Sequence, residues 1–212
     1  MDIEQGQIYH LYNQGNNRER IFFQESNYYY FLKKIEKHIC PFANVLGWCL
    51  MPNHFHLIIA LRNPEPNYRE ISYQHPTVNE EVPASVNLKA PGQYHLNNSI
   101  ATMLRSYSRA INIQQQRSGS LFRERTKTSW LGSIEGEKIK YQNRSNDAEF
   151  DVNLEKTYLQ TCFQYIHNNP VKAKLVKQIN DWEFSSALDI SGIRKESIIN
   201  KSLLDELGLR LE

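Results

Sequence analysis

Four short segments of the chain are rich in apolar and aromatic residues and have the pattern of β-strands. They are residues 7–13, 44–51, 54–61 and 125–131. The first segment alternates between side chains of different polarity, as expected of a strand that buries one face. Because only Pro52 and Asn53 separate the second segment from the third, we expect these two strands to pair as an antiparallel hairpin.

Apolar residues spaced three and four apart predict three helices. The first is expected between Ser26 or Asn27 and Pro41, the second between Asn98 or Ser99 and Ser118, and the third over residues 154–169, ended by Pro170. Their apolar stripes are, in order, Tyr28, Phe31 or Leu32, Ile35 and Ile39; Ile100, Leu104, Tyr107 and Ile111; and Leu159, Phe163 and Ile166. A short further helix is expected within residues 193–212.

The order of these elements is strand, helix, strand, strand, helix, strand and a further helix. It predicts an α+β fold of the ferredoxin-like, split βαβ kind, in which helices cover one face of an antiparallel sheet. Residues 63–97 hold five prolines and little periodicity, and residues 132–152 are polar and of mixed charge, so both are predicted to be insertions. We expect one domain over residues 1–190 and a helical tail over residues 191–212.

Basic residues are concentrated in two stretches, although the net charge of the chain is only +2. Residues 97–130 hold six bases and one acid, and residues 158–177 hold three bases and no acid. Such clustering is typical of a surface that binds a polyanion, and equally of solvated helix faces. The three cysteines form no CxxC pair, which argues against a disulfide framework or a zinc–thiolate site. With no apolar run long enough to span a membrane, we expect a cytoplasmic protein without a membrane partner.

Two histidines flank one apolar residue at the start of the third predicted strand. Successive side chains of a strand point to opposite faces, so His54 and His56 would share a face while Phe55 faces the core. Two imidazoles placed in this way can share one metal ion. The same pattern also occurs where polar residues simply begin a strand.

A phenol and a carboxamide lie one turn apart on the third predicted helix, at Tyr165 and Asn169. A phenol is a competent nucleophile for phosphoryl transfer when a metal or a base assists it. Two imidazoles and an amide oxygen would leave ligand positions for phosphate and water, which suits Mg²⁺ or Mn²⁺, although imidazoles also accept zinc, nickel or cobalt. His167 lies on a different face of the helix. Packing of Tyr165 and termination of the helix at Asn169 are the simpler alternatives.

Six segments together resemble the single-tyrosine HUH transposases, and most closely the REP-associated tyrosine transposase-like branch. They are residues 9–18, 31–32, 48–57, 119–127, 165–173 and 182–186, and they include Met51-Pro52-Asn53-His54-Phe55-His56 and Tyr165-Ile166-His167-Asn168-Asn169-Pro170-Val171-Lys172-Ala173. The resemblance runs from about residue 8 to about residue 187, and it leaves out residues 63–97 and 132–152.

The resemblance implies divalent-metal-dependent cleavage and rejoining of single-stranded or hairpin DNA through a 5′-phosphotyrosine. It places Tyr165 as the nucleophile, His54 and His56 as metal ligands, and Asn169 where related enzymes supply a third ligand, often Gln. Candidate phosphate contacts are Arg18, Arg20, Arg105, Arg109, Arg123, Arg125, Lys127, Lys172 and Lys174.

Three other functions stay open at this point. They are a catalytically silent, sequence-specific DNA-binding protein on the same fold, an HUH nuclease of rolling-circle or plasmid initiation, and a metal-dependent hydrolytic or structural domain. Both a monomer and a homodimer are compatible with the sequence.

Overall fold

A computed structural model describes residues 6–62, 91–134 and 152–211, without side chains for residues 91–95 and 152–156. Its strands are β1 (Gln7–Gln14), β2 (Ala43–Met51), β3 (His54–Leu61) and β4 (Lys127–Ser133). Its α-helices are α1 (Glu25–His38), α2 (Pro91–Gln114), α3 (Val152–Lys172), α4 (Ala187–Ile190) and α5 (Lys201–Leu207). Among the described residues, no helix is both long enough and apolar enough to cross a membrane.

The four strands form one antiparallel sheet in the order β2-β3-β1-β4. Helices α1 and α2 connect β1 to β2 and β3 to β4, so the ferredoxin-like α+β fold predicted from the sequence is confirmed. The predicted β2–β3 hairpin is present, with Met51 opposite His54. Strands β3 and β1 occupy the centre of the sheet, where Tyr12 lies opposite His56.

The two faces of the sheet are covered by different helices. Phe55 on β3 packs against Phe31 of α1, with ring centroids 5.0 Å apart, and Phe31 also contacts Tyr107 of α2. Helix α3 lies on the opposite face, because a Cβ atom built on Gly47 of β2 would come within 3.2 Å of Phe163 on α3. The expectation that helices cover only one face therefore holds for α1 and α2 and is wrong for α3.

Helix α2 begins at Pro91, so the prediction that it starts at Asn98 or Ser99 is wrong. Proline has a fixed φ and needs no N–H partner in the first helical turn, so Pro91 is compatible with the first position of α2. In the sequence it was counted among the prolines that indicated an insertion. The predicted insertion therefore ends before Pro91, and its residues 63–90 lie outside the described part of the chain.

Strand β4 is displaced by two residues from its prediction and ends at Ser133, which pairs with Gln7. Residues 132 and 133, which were predicted to begin the second insertion, therefore belong to β4. Residues 135–151 of that insertion lie outside the described part of the chain.

Helix α3 continues through Pro170, which was predicted to end it. Proline cannot donate to the carbonyl of Ile166, one turn earlier. The side-chain amide of Asn169 lies 3.5 Å from that carbonyl and takes the place of the missing donor. The backbone N–H of Ala173 still bonds back to Asn169, so the helix continues to Lys172. Beyond it Lys174 is left-handed and the N–H of Leu175 bonds to the Pro170 carbonyl, which closes the end of the helix.

The C-terminal segment packs on β2 and contains the predicted short helix, α5. Ile199 forms a parallel bridge with Val45, and the N–H of Asn200 donates to the Val45 carbonyl at 2.8 Å. The Asn200 side chain caps α5 by accepting from the N–H of Leu203, which is buried in the core. The boundary between a domain and a tail near residue 190 stays a prediction.

A candidate active site on the central strands

His54 and His56 lie at the start of β3, on the face of the sheet that α3 covers. Their ring centroids are 4.9 Å apart and the rings are nearly perpendicular. His56 is only 5% exposed, whereas His54, the first residue of the strand, is partly buried. The two imidazoles therefore lie on the same face of β3, as the sequence predicted.

A third histidine, His10 on β1, belongs to the same group. Its Nε2 atom lies 2.8 Å from Nδ1 of His56, and both rings are buried. Tyr12 stacks on His10 with ring centroids 4.7 Å apart. Sequence reasoning missed His10, although the two-residue period already placed His10 and Tyr12 on one face of β1. What sequence alone lacks is the register, which sets Tyr12 opposite His56.

The hydrogen bonds of the histidine pair leave one nitrogen on each ring for a ligand. The Nδ1–H group of His54 donates to Oδ1 of Asn53 at 2.6 Å, since a carboxamide oxygen can only accept. Nδ1 of His56 is engaged by His10, and Nε2 of His56 is buried without a hydrogen-bond partner among the described residues. An unpartnered buried imidazole nitrogen, with the other ring nitrogen held, fits a metal ligand.

Burial keeps the histidines of the group uncharged. It lowers the pKa of His56 to about 2, with smaller contributions from His10 and His54, and it lowers the pKa of His10 to about 4. Burial also lowers the pKa of His54. Neutral imidazoles have a lone pair to offer, so the group is in the protonation state that metal binding requires.

Tyr165 on α3 faces the histidine pair. Its ring centroid is 5.7 Å from that of His56, in an edge-to-face arrangement, and the side chain is 42% exposed. The ammonium group of Lys172 lies 5.2 Å from the centre of the Tyr165 ring. The predicted nucleophile, two predicted ligands and one predicted phosphate contact therefore come together, and the phenol remains accessible to a substrate.

A pocket of about 210 Å³ lies between these side chains. It is lined by Tyr12, Asn13, Gln14, His54, His56, Arg123, Arg125, Lys127 and Tyr165. Three of the predicted phosphate contacts thus border the histidine pair and the tyrosine. A volume of this size accommodates a phosphate group.

Asn169 is the predicted ligand that the structure does not bring into this pocket. Its side-chain N–H group donates to the carbonyl of Tyr165 at 3.2 Å, and it approaches the carbonyl of Ile166. The described residues contain no group of three or more His, Cys, Asp or Glu side chains arranged to hold a metal. A metal role for Asn169 stays a prediction, and an ion held by His54 and His56 needs further ligands from elsewhere.

The other predicted phosphate contacts divide into two groups. Arg105 and Arg109 of α2 line a groove of about 1160 Å³ that shares Asn13, Arg123 and Arg125 with the tyrosine pocket. Arg18, Arg20 and Lys174 are exposed and line neither this groove nor the tyrosine pocket. Sequence reasoning missed Arg117 as part of the groove, where it pairs with Glu19 at 3.0 Å.

His167 points away from the pocket, as its position on the helix predicted. It is fully buried, with Nδ1 donating to the Phe163 carbonyl at 2.7 Å and Nε2 lying 2.7 Å from Oγ of Ser186. Ser186 in turn accepts from the N–H of Trp48 on β2. His167 therefore ties α3 to the segment that borders β2, which fixes the helix that carries Tyr165.

The fold and the pocket define a ferredoxin-like α+β protein with a histidine pair and a tyrosine on one face of the sheet. A solved structure with a similar fold is that of a REP-associated tyrosine transposase bound to a REP hairpin. The two structures match with a TM-score of 0.52 over 93% of this chain and 87% of the other, at 14% sequence identity. At that identity the likeness concerns the fold. No protein-family model matches the chain, and no curated protein matches it.

Proposed function

We propose that this protein is a DNA transposase-like enzyme that nicks and rejoins single-stranded DNA, using Tyr165 as nucleophile and a divalent metal. The main support for the proposal is that Tyr165, His54 and His56 line one pocket together with two arginines and a lysine. The pocket lies on a fold shared with a tyrosine transposase that binds a REP hairpin, and this likeness supports hairpin or repeat DNA as the substrate.

The proposed reaction needs no oxidant and no second substrate. The Tyr165 oxygen forms a bond to the scissile phosphorus, and the bond from phosphorus to the 3′ oxygen breaks. The phenolic proton leaves to solvent and the 3′ oxygen takes up a proton, which gives a 5′-phosphotyrosine and a free 3′-hydroxyl. Because the covalent link keeps the energy of the phosphodiester, attack by a 3′-hydroxyl reverses the step and reseals a strand.

Each side chain of the pocket has a role in this step. His54 and His56 would hold Mg²⁺ or Mn²⁺ through their Nε2 atoms, and the ion would supply Lewis-acid stabilisation of the phosphate oxygens. Arg123, Arg125 and Lys127 line the pocket and can hold the phosphates on either side of the scissile bond. Lys172 lies beside the Tyr165 ring and can contact the phosphate that the phenol attacks.

The groove along α2 supplies a path for the DNA beyond the pocket. It continues the basic lining through Arg105 and Arg109, and its floor includes the apolar side chains of Leu104 and Phe122. Basic rims combined with apolar surfaces are typical of sites that bind unpaired nucleotides. We therefore assign the groove to the strand that leads to the scissile phosphate.

A covalent-capture experiment tests the proposal. Wild-type protein, Tyr165→Phe and His56→Ala are incubated with hairpin oligonucleotides that carry single-stranded flanks, with Mn²⁺ or with EDTA. The expected result is a denaturation-resistant adduct that carries a 3′-end label and requires the metal, Tyr165 and His56. Tyr158→Phe is the matched control, because Tyr158 is an exposed tyrosine on the same helix and does not line the pocket.

Cleavage that survives Tyr165→Phe would refute the proposed nucleophile and favour attack by water. An adduct that carries the 5′-end label would refute the proposed polarity.

One observation favours the second candidate function, a catalytically silent protein that binds specific DNA. The Asn169 side chain is bonded to its own helix and supplies no ligand to the pocket. If the protein binds hairpin DNA tightly, and no oligonucleotide gives an adduct in the presence of Mn²⁺, this second function replaces the first.

A further inference from the structure

A second cavity borders the tyrosine pocket along α3. This space of about 810 Å³, which we call the α3 cavity, lies between α3 and the segment that ends α5. Tyr165 lines both the α3 cavity and the tyrosine pocket, and Lys172, beside the Tyr165 ring, lines the cavity as well. The groove along α2 meets the tyrosine pocket through other residues, Asn13, Arg123 and Arg125. The tyrosine pocket is therefore bordered by two separate spaces.

These two spaces differ in the chemistry of their linings. The groove along α2 is lined by five arginines, Arg105, Arg109, Arg117, Arg123 and Arg125. Among the described residues that line the α3 cavity there is one lysine and no Arg, Asp or Glu, and most of its polar groups are the carboxamides and hydroxyls of Thr157, Gln160, Thr161, Gln164 and Asn168. Cationic side chains suit phosphates, whereas carboxamides and hydroxyls can bond to the edges of bases.

The wall that α3 contributes to this cavity is a neutral polar stripe. Its lining positions form two rows of fourfold spacing, 157, 161 and 165 in one row and 160, 164, 168 and 172 in the other, so they share one side of the helix. Residues 157–171 contain no Asp, Glu, Lys or Arg, although Tyr158 and Thr161 are exposed. Such a stripe can bond to an uncharged base without the cost of removing water from a charged group.

The three carboxamides of the stripe differ in their availability. Gln160 is held at both ends, because its side-chain N–H donates to the Arg210 carbonyl at 2.7 Å and its oxygen accepts from the Arg210 N–H at 3.2 Å. Asn168 donates one N–H to the Gln164 carbonyl at 3.0 Å, which leaves its oxygen and its other N–H. The Gln164 side chain has no hydrogen bond within the described part of the chain. Gln160 therefore fixes the wall of the cavity, and Gln164 and Asn168 can bond to a ligand.

We propose that the α3 cavity holds a nucleobase next to the scissile phosphate, and that Gln164 and Asn168 bond to the edge of this base. The inference rests on the proposed function for the path of the strand. A strand whose phosphate lies at Tyr165 has a nucleotide on each side, and the groove along α2 is assigned to only one of them. Adenine is the expected base, because a carboxamide can accept from its N6 amino group while donating to N7.

A binding selection in EDTA tests the inference without cleavage. Tyr165→Phe protein is mixed with a DNA hairpin that has four randomised nucleotides on each single-stranded flank, and the bound DNA is sequenced. We expect a preference for adenine at one position of one flank. Adding Gln164→Ala or Asn168→Ala should weaken this preference by about fivefold or more. Asn180→Ala, a change at an exposed carboxamide outside the cavity, should keep it.

A photocrosslinking experiment locates the base independently of the variants. Hairpins carrying 2-azidoadenine at one flanking position at a time are bound to the Tyr165→Phe protein, irradiated and mapped by peptide mass spectrometry. One flank should crosslink to peptides of α3, and the other to peptides of α2. Crosslinks from both flanks to α2 alone, an absence of any base preference, or a preference that both alanine variants retain would each overturn the inference.

The inference and the proposed enzyme fail in different ways. A covalent adduct that forms equally with every flanking sequence would overturn the base site and leave the enzyme intact. An adenine preference that depends on Gln164, together with no adduct from any oligonucleotide in Mn²⁺, would support the base site and refute the enzyme.

Discussion

The two faces of β3 differ although their side chains alternate along one strand. Phe55 is fully buried and meets an aromatic cluster that includes Phe31 and Phe122, whereas His54 and His56 on the other face meet polar groups and a pocket. On the first face β3 contributes only the apolar side chains of Phe55, Leu57, Ile59 and Leu61. On the second face Nε2 of His56 is buried without a hydrogen-bond partner among the described residues. One face of the strand therefore stabilises the fold, and the other holds the groups of the candidate site in fixed positions.

Substitution at Phe55 should have the largest effect on stability. Phe55→Ala removes a fully buried aromatic side chain from the cluster on the α1–α2 face, and we expect it to cost about 3–5 kcal/mol of the free energy of unfolding. The neighbouring change His54→Ala, on the pocket face, should cost about 1 kcal/mol or less. Urea denaturation followed by circular dichroism measures both, and equal losses would show that the two faces do not differ in this way.

Gly47 tests how closely α3 must approach the sheet. A Cβ atom at this position would lie 3.2 Å from both His167 and Phe163 and 3.3 Å from Ile166. Gly47→Ala should therefore destabilise the protein by about 1–3 kcal/mol and, by displacing the helix that carries Tyr165, slow adduct formation. Adding Ile166→Val removes the methyl group at 3.3 Å and should restore part of both losses. A stable Gly47→Ala protein with full adduct formation would contradict the close packing.

The sequence predicted the parts of the molecule that depend on local spacing. The two-residue period placed His54 and His56 on one face of β3, and the helical period placed Tyr165 away from the core stripe of α3. The strands and the ferredoxin-like order followed from the same patterns, because short stretches of sequence determine periodicity.

What the sequence did not predict depends on contacts between distant segments. His10 joins the site only because the β1–β3 register sets Tyr12 opposite His56, and register is not a property of either strand alone. Helix α3 continues past Pro170, and the side-chain amide of Asn169 lies near the Ile166 carbonyl that proline leaves without a backbone donor. The start of α2 at Pro91 was missed because proline is favourable in a first helical turn and unfavourable elsewhere.

A substitution at His10 tests the pocket face of the sheet. We expect loss of its buried contact with His56 to reduce metal affinity more than it reduces the free energy of unfolding. His10→Leu removes the partner of His56 Nδ1, so His56 loses its fixed orientation, and we expect Mn²⁺ affinity in the presence of DNA to fall by about 10- to 100-fold. His10→Gln keeps an oxygen that can accept from His56 and should recover much of the affinity. If Leu and Gln at this position give the same affinity, His10 contributes only packing.

The smallest expected effect is on DNA affinity, and it comes from two arginines of α2, the helix that packs on the apolar face. Arg105 and Arg109 belong to α2, whose buried residues pack on that face, yet both arginines line the groove that leads to the tyrosine pocket. If each contacts one phosphate, Arg105→Gln or Arg109→Gln should reduce the slope of log affinity for single-stranded DNA against log salt by about 0.7. Lys195→Gln, a change at an exposed lysine outside the groove, is the control. Because phosphate contacts position a strand without reading its bases, the loss should be equal for all DNA sequences. A loss confined to one sequence would instead mean that these arginines contact base edges, and the apolar-face helix would then contribute to target choice as well as to affinity.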